Sequence, residues 1–182
     1  MKRWMRLHVV LVVMTLVGVT ARDALAASKT VGDIAFTAPA RWEETAVTSS
    51  MRKAQFRVPR ATGDAGDAEL AVFYFGVGQG GSVEDNVKRW AGQFSDPSGR
   101  PVTPISSRRE LNSVTVTLVQ MSGTYASGMP MGPMAPKLGY GLLGAIVEGS
   151  QGPVFFKLIG PQVTIQQAHS EFDELVASFA TE

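Results

Sequence analysis

The amino-acid sequence predicts an α+β fold, in which two main helices pack on an antiparallel sheet of about six to seven strands. Apolar and polar residues alternate with period two in several segments, which is typical of half-buried strands. Short turn-forming connections separate consecutive strands, and two further segments carry apolar stripes with helical spacing. Antiparallel strands can be joined by such turns, whereas parallel strands need long crossovers. The predicted order is therefore three strands, a helix, four strands and a helix.

The N-terminal segment has the features of an export signal: a basic start, an apolar run over 7–19 and a small-residue cleavage site ending at Ala26. We therefore predict a signal peptide over 1–26 and a single α+β domain over 27–182, exported to the periplasm or the extracellular space. An uncleaved signal that stays as a membrane anchor is the alternative. The chain contains no cysteine, which excludes disulfides and a cysteine-linked lipid.

The charge of the chain changes sign once the predicted signal peptide is removed. The full sequence has 17 basic and 16 acidic residues and a formal net charge of +1. Without the first 26 residues it keeps 13 basic and 15 acidic residues, which gives the domain a net charge of about −2. A basic surface for nucleic acid or for an anionic membrane is therefore not expected.

The first strands of the domain follow an alternating apolar pattern. After a short flexible lead, Ile34 and Phe36 indicate a strand that ends at a proline turn. Trp42, just beyond that turn, is interpreted as a lid on the edge of the core, with a ligand platform as the alternative. Residues 54–58 predict a strand with one buried face, and 70–75 predict a central strand covered on both faces.

Charged residues on the two sides of the turn at 64–67 are expected to pair across these strands. The basic residues could bind an acidic partner, but acidic residues follow them across a turn that makes the strands antiparallel, which favours cross-strand pairs. The basic set is Arg52, Lys53, Arg57 and Arg60, and the acidic set is Asp64, Asp67 and Glu69.

A glycine-rich turn at 76–81 leads from the central strand into the first amphipathic helix. Ser82, with Asp85 three residues later, has the form of a capping box. The helix is expected to pack on the sheet by the face that carries Trp90, and opposite charges four residues apart are expected to pair on its outer face. These pairs are Glu84 with Lys88 and Asp85 with Arg89.

Two hairpins and a second helix complete the predicted fold. Each hairpin joins two strands through a short turn, which lies at Asn112-Ser113 in the first, and the strands of the second are apolar. Their strands are 105–111 with 114–121, and 140–147 with 154–159. Thr164 and Gln167 have capping-box spacing at the start of the last helix, whose apolar stripe runs to Phe179.

The order of elements resembles the PsbP-like fold, that of the extrinsic photosystem II protein and of a nuclear-transport factor that binds a small GTPase. The resemblance covers all of 27–182 and is one of element order, without a diagnostic motif. Two segments are more closely similar to an uncharacterised family of exported bacterial proteins. They are Tyr74-Phe75-Gly76 to Trp90, and the hairpin from Gly144-Ala145-Ile146-Val147-Glu148 to Lys157. That family brings no activity to carry over.

The glycine-rich turn also matches the dinucleotide fingerprint G-x-G-x-x-G, and Asp96 lies 20 residues beyond Gly76. A dinucleotide site requires a second parallel strand after the helix, and Asp96 instead falls in a Ser-Asp-Pro loop. We therefore interpret the glycines as a hinge in which positive φ angles let the strand turn onto the helix. Anion capture near Ser82 is an alternative that Glu84 and Asp85 disfavour, because they already occupy the positive helix end.

A loop rich in proline and methionine, 127–139, is the predicted binding surface. Apolar side chains on a loop favour contact with a protein or peptide partner. A Cu(I) site built from the thioethers is one alternative, and simple cover of a hydrophobic edge is another. The candidate partner-binding residues are Tyr125, Met129, Met131, Met134 and Tyr140.

No set of catalytic residues accompanies this pattern. The domain has no cysteine nucleophile, no G-x-S-x-G motif, and His169 is its one histidine. A hydrolase with His169 as its base is the least favoured alternative, and it needs a pocket that places His169 beside a serine and an acid. The sequence therefore predicts an exported, non-catalytic binding or accessory protein of the periplasm or cell envelope, without cofactor or metal ligands.

Overall fold

The computed structural model describes residues 27–126 and 135–182. Outside these ranges lie the predicted signal peptide, 1–26, and three predicted site residues, Met129, Met131 and Met134. Within them the chain is an α+β domain, and every strand pairing there is antiparallel, which confirms the predicted fold class.

Long strands alternate with very short elements along the described chain. The strands are β1 Ala27–Val31, β2 Ile34–Ala38, β3 Glu43–Glu44, β4 Arg52–Val58, β5 Ala68–Tyr74, β6 Phe94–Ser95, β7 Ile105–Leu111, β8 Val114–Tyr125, β9 Lys137–Gly149, β10 Gly152–Pro161 and β11 Ala180–Thr181. The helices are α1 Val83–Ala91, α2 Gln162–Gln167 and α3 His169–Ala177.

The strands form two sheets. The larger one has the order β3-β4-β5-β10-β9-β8-β6, with β7 also paired to β8, and the smaller one has the order β1-β2-β11. The sequence predicted a single sheet after a flexible lead, and this was wrong. Ala27–Val31 instead pairs with β2 in a hairpin, because Gly32 at φ +62° allows a tight turn between them.

Hydrophobic cores lie on both faces of the larger sheet. The smaller sheet, α2 and α3 cover one face, where Phe36, Phe156 and Leu175 are fully buried. Helix α1 covers part of the other face, which we call the α1 face, and there Trp90 packs with Ile146. Neighbouring residues of one strand supply both cores because successive side chains point to opposite faces.

Helix α1 begins as the sequence predicts. The Ser82 hydroxyl accepts a hydrogen bond from the Asp85 backbone N–H at 3.0 Å and donates one to the Asp85 carboxylate at 2.6 Å. The predicted pairs on the outer face of the helix were wrong. Asp85 is engaged by Ser82, Arg89 donates to the Asn86 side chain, and no ion pair joins Glu84 to Lys88 among the described side chains.

The last helix differs from its prediction at both its start and its middle. It is divided into α2 and α3, and it begins at Gln162, so Thr164 is not its N-cap. The Asp64 carboxylate instead accepts hydrogen bonds from the Thr164 N–H at 2.7 Å and the Thr164 hydroxyl at 2.6 Å. A residue about a hundred positions away in the sequence therefore caps this helix, which local spacing cannot reveal.

The predicted charge pairing and the predicted place of Trp42 are both confirmed. Arg57 contacts Asp67 at 2.9 Å and Arg52 contacts Glu69 at 2.7 Å across the strands. The indole of Trp42 is buried at the edge of the core, and its N–H donates to the Glu171 carboxylate at 2.9 Å. This hydrogen bond satisfies the one polar group of a buried tryptophan.

Candidate functional site

Helix α1 leaves a groove open on its face of the larger sheet. The side chains of Phe155, Lys157 and Ile159 point to this face, because alternate residues of a strand share one face. Lys157 lies opposite Gly144 of β9 and Ala71 of β5. Trp90 lies over Gly144 and covers the β9 side. The β4 and β5 side therefore stays open beside the helix.

We call this open region the Lys157 groove. Two adjoining hollows form it, with volumes of about 310 and 480 Å³, and both are lined by Phe73 and Lys157. The first hollow also contains Met51, Phe75, Arg89, Trp90, Gln93 and Phe155. The second also contains Arg52, Asp67, Glu69, Ala71, Tyr125, Lys137, Tyr140 and Ile159. The first hollow has mostly apolar walls with a few polar groups, which is typical of small-molecule sites, and the second combines aromatic rings with several charged side chains.

Lys157 occupies the centre of the groove, where it is partly buried. Its ammonium group donates a hydrogen bond to the Gln93 side-chain oxygen and lies 5.9 Å from the ring centres of both Trp90 and Tyr125. None of the salt bridges in the described ranges includes it. Burial, together with the nearby charges of Arg89 and Arg52, lowers the pKa of Lys157 from 10.5 to about 8.

The other ionic groups at the β4 side of the groove are already engaged with each other. Arg52 donates to Glu69 at 2.7 Å and to Gln55 at 2.6 Å, and Gln55 donates to the second Glu69 oxygen at 2.9 Å. Asp67 is held by Arg57. These acids therefore do not neutralise Lys157, and the groove keeps a positive centre.

Tyr125 and Tyr140 close one end of the groove. Their rings are stacked with centres 6.1 Å apart, and the Lys137 ammonium lies 5.2 Å from the Tyr140 ring centre. Both tyrosines are partly buried. The structure therefore brings these two predicted site residues together, whereas the three predicted methionines lie outside the described residues and the interpretation of their loop stays a prediction.

Sequence reasoning did not identify the Lys157 groove. The available signal was a lysine within the otherwise apolar strand β10, at a position that alternates with Phe155 and Ile159. Such a charge must face either water or a polar site, and only the packing of α1 decides between them.

The glycine-rich turn is a hinge in the structure, as the sequence indicates. Gly76, Gly78, Gly80 and Gly81 all have positive φ angles. Because every described strand pairing is antiparallel, the second parallel strand of a dinucleotide site is missing from the described ranges. Asp96 instead accepts hydrogen bonds from Ser98 and Arg100 within its own loop, and these bonds lower the pKa of Asp96 to about 2.

His169 does not form the arrangement that a hydrolase would need. It is exposed at the start of α3, and its Nδ1 atom lies 3.2 Å from the carboxylate of Asp173 on the same helix. Ser106 and Ser107 line the same shallow hollow, but neither hydroxyl forms a hydrogen bond with the ring among the described contacts. The hydrogen bond between a nucleophilic serine and its histidine base, which serine hydrolysis requires, is therefore absent among these described residues.

Within 27–126 and 135–182, no group of three or more histidine, cysteine, aspartate or glutamate side chains could hold a metal ion. The Cu(I) alternative rests on the methionines outside them and stays a prediction. No helix in the described part of the chain has the length and apolar character needed to span a membrane.

Comparison with known proteins identifies the fold. No protein-family model matches the chain, and no curated protein matches its sequence. The chain is similar to the solution structure of cyanobacterial PsbP (CyanoP) from Synechocystis sp. PCC 6803, with a TM-score of 0.57 and 16% sequence identity. The alignment covers 93% of this chain and 99% of that chain. The predicted PsbP-like fold is thereby confirmed, and at this identity the similarity concerns the fold alone.

Proposed function

We propose that this chain is an exported, non-catalytic binding or accessory protein of the periplasm or cell envelope, and that the Lys157 groove is its binding surface. One observation carries the proposal: α1 covers only part of its sheet face, and the uncovered part is lined by aromatic side chains around the Lys157 ammonium group, with Lys137 at the tyrosine end. A concave groove that combines aromatic walls with polar and charged groups at defined places is suited to binding.

The chemistry of the groove favours binding over catalysis. A lysine with a lowered pKa can act as a nucleophile toward carbonyl compounds, and Lys157 has such a pKa. That chemistry also requires proton transfer to and from the developing alcohol and amine. The ammonium group is hydrogen-bonded to the Gln93 amide, which does not titrate, and Glu69 is held by Arg52 and Gln55.

The proposed macromolecular partner is a protein or peptide that contacts the Tyr125 and Tyr140 end of the groove. Tyr125 pairs with Lys137 across β8 and β9, so the loop with Met129, Met131 and Met134 leaves and re-enters the sheet at this end. Stacked tyrosines are frequent anchors in protein interfaces because they bury a large area at low entropic cost. The domain's net charge of about −2 does not favour nucleic acid.

Site-specific photocrosslinking tests this proposal. A benzoylphenylalanine residue replaces Tyr140 in the full chain, and the same residue replaces Glu174, which is exposed on α3 on the other side of the sheet, as the control. We expect the Tyr140 position to yield defined adducts in producing cells that the control does not yield. Changing Met129, Met131 and Met134 to serine should reduce them. The same adducts from both positions, or none from Tyr140, would contradict the proposed surface.

A further inference from the structure

The ammonium group of Lys157 is incompletely satisfied. It has three hydrogen-bond donors, of which one is directed at the Gln93 oxygen. The Trp90 and Tyr125 rings, each 5.9 Å away, attract a cation but accept no strong hydrogen bond. A partly buried charge is normally paired or hydrogen-bonded, and here no carboxylate among the described residues forms an ion pair with it.

We propose that the Lys157 groove binds a small organic anion, with the acidic group against the Lys157 ammonium and an apolar, aromatic body against Phe73 and Trp90. The inference rests on the proposed function, because it requires the groove to be a binding surface, and it adds the chemical class of the ligand. The protein or peptide contact at the tyrosine end is a separate event.

The charges around the groove select an anion over a cation or a neutral ligand. Arg89 lines the first hollow and Arg52 lines the second, each together with Lys157, so both raise the positive potential around the Lys157 ammonium. Glu69 could attract a cation, but Arg52 and Gln55 already occupy both of its carboxylate oxygens. A carboxylate or sulfonate would therefore meet a free donor without displacing an existing ion pair.

The walls of the groove require an apolar body on this anion. Phe73 lines both hollows together with Lys157, and Phe75, Phe155 and Trp90 extend the aromatic surface on one side. Of these rings, Phe75 is exposed and Phe73 is partly exposed, and a free inorganic ion would leave both in contact with water and gain nothing from them. A polyphosphate would need several cationic donors close together. Of the other cationic groups that line the groove, Lys137 lies over the Tyr140 ring at the tyrosine end, Arg52 is paired with Glu69 and Arg89 donates to Asn86, so Lys157 is the ammonium group at the centre.

A matched pair of fluorescent probes tests the proposal. The anion 8-anilinonaphthalene-1-sulfonate and the neutral N-phenyl-1-naphthylamine have the same rings and differ in the sulfonate. Both are titrated into the full wild-type chain and into Lys157→Met, Lys157→Gln and Lys88→Met variants. Lys88 is exposed on the outer side of α1 and serves as the matched control. Near-ultraviolet circular dichroism establishes that each variant keeps its packed core.

We expect the wild type and Lys88→Met to bind the sulfonate probe about tenfold or more tightly than the neutral probe. This ratio of dissociation constants corresponds to the free energy of one charge-assisted hydrogen bond. Lys157→Met and Lys157→Gln should lose this preference and still bind the neutral probe. A preference that survives in both Lys157 variants, or is absent in the wild type, would overturn anion recognition and leave the groove as a binding surface. If neither probe binds the wild type, the inference fails, and the crosslinking result then decides the proposed surface on its own.

Discussion

The Trp90 ring packs directly against Gly144 on the α1 face: a Cβ atom on Gly144 would lie 2.4 Å from Cζ3 of that ring. Gly144 also lies directly opposite Lys157 across β9 and β10. The absence of a side chain on β9 therefore lets the indole rest against the sheet, where it forms a wall of the Lys157 groove. The position of α1, and with it the shape of the groove, depends on this contact.

Replacing Gly144 by alanine should destabilise the fold by about 1–3 kcal/mol, because the added methyl group overpacks a buried ring. Urea denaturation measures the change in the free energy of unfolding. Gly66→Ala is the matched control, since its Cβ would meet nothing within 4 Å. We expect that control to change stability by less than about 0.5 kcal/mol or to raise it slightly. Equal effects of the two substitutions would contradict this role of Gly144.

Two glycines of the hinge should differ in their tolerance of alanine. Gly78 has φ +68° and open space around it, so Gly78→Ala should cost about 1 kcal/mol of backbone strain. Gly80 has φ +96°, and its Cβ would lie 2.9 Å from Cε2 of Phe155, so Gly80→Ala should cost about 2–3 kcal/mol. Thermal and urea denaturation of both variants checks the order. A Gly78 variant that is the less stable of the two would refute it.

Asp64 and Thr164 should behave as one capping unit. Asp64→Ala and Thr164→Ala should each lower the free energy of unfolding by about 1–2 kcal/mol. Asp64→Ala removes both hydrogen bonds to the start of α2, whereas Thr164→Ala removes the hydroxyl bond to Asp64 and the one that its hydroxyl accepts from the Ala61 N–H. The double variant should lose clearly less than the two single losses combined, since both remove the same contact. Asp64→Asn keeps an acceptor and serves as the conservative control. Fully additive losses would show that the two side chains act independently.

Lys157→Met should raise the free energy of unfolding at pH 7 by about 1–3 kcal/mol, because the pKa of Lys157 is lowered from 10.5 to about 8 in the folded protein. The unfolded chain holds this proton more tightly, so wild-type stability rises as pH increases from about 8 toward 10.5. The advantage of the variant should therefore be largest below pH 8 and shrink above it. Urea denaturation at pH 7 and pH 10 measures this, and a variant less stable than the wild type at pH 7 would contradict the buried charge.

The parts of the fold that local patterns specify could be predicted from the sequence. The capping box at Ser82 depends on residues three positions apart. The hairpin turn at Asn112 and Ser113, with φ angles of +46° and +68°, directly joins two neighbouring strands. The contribution of Asp64 to the start of α2 could not be predicted, because the two segments meet only after the sheet has formed.

The candidate site was predictable only in part, for a similar reason. Tyr125 and Tyr140 border a conspicuous loop, and the structure stacks them at the end of the groove. The groove itself depends on how much of the sheet α1 covers, and that is set by the packing of Trp90 on Gly144 rather than by any motif. A sequence pattern shows that β10 contains a lysine, but it does not show which ring systems surround that lysine.

The two tryptophans of the described residues provide the most direct test of binding in the Lys157 groove. Trp90 forms its wall, whereas Trp42 is on the opposite side of the sheet with its indole N–H bonded to Glu171. NMR spectra of the ¹⁵N-labelled full chain give the chemical shifts of the indole N–H signals during titration with 8-anilinonaphthalene-1-sulfonate. Tryptophan-to-phenylalanine variants assign these signals. We expect the Trp90 signal to shift to saturation while the Trp42 signal stays in place. A Trp90 signal that is unchanged at saturating probe, or a Trp42 signal that shifts equally, would contradict binding in the groove.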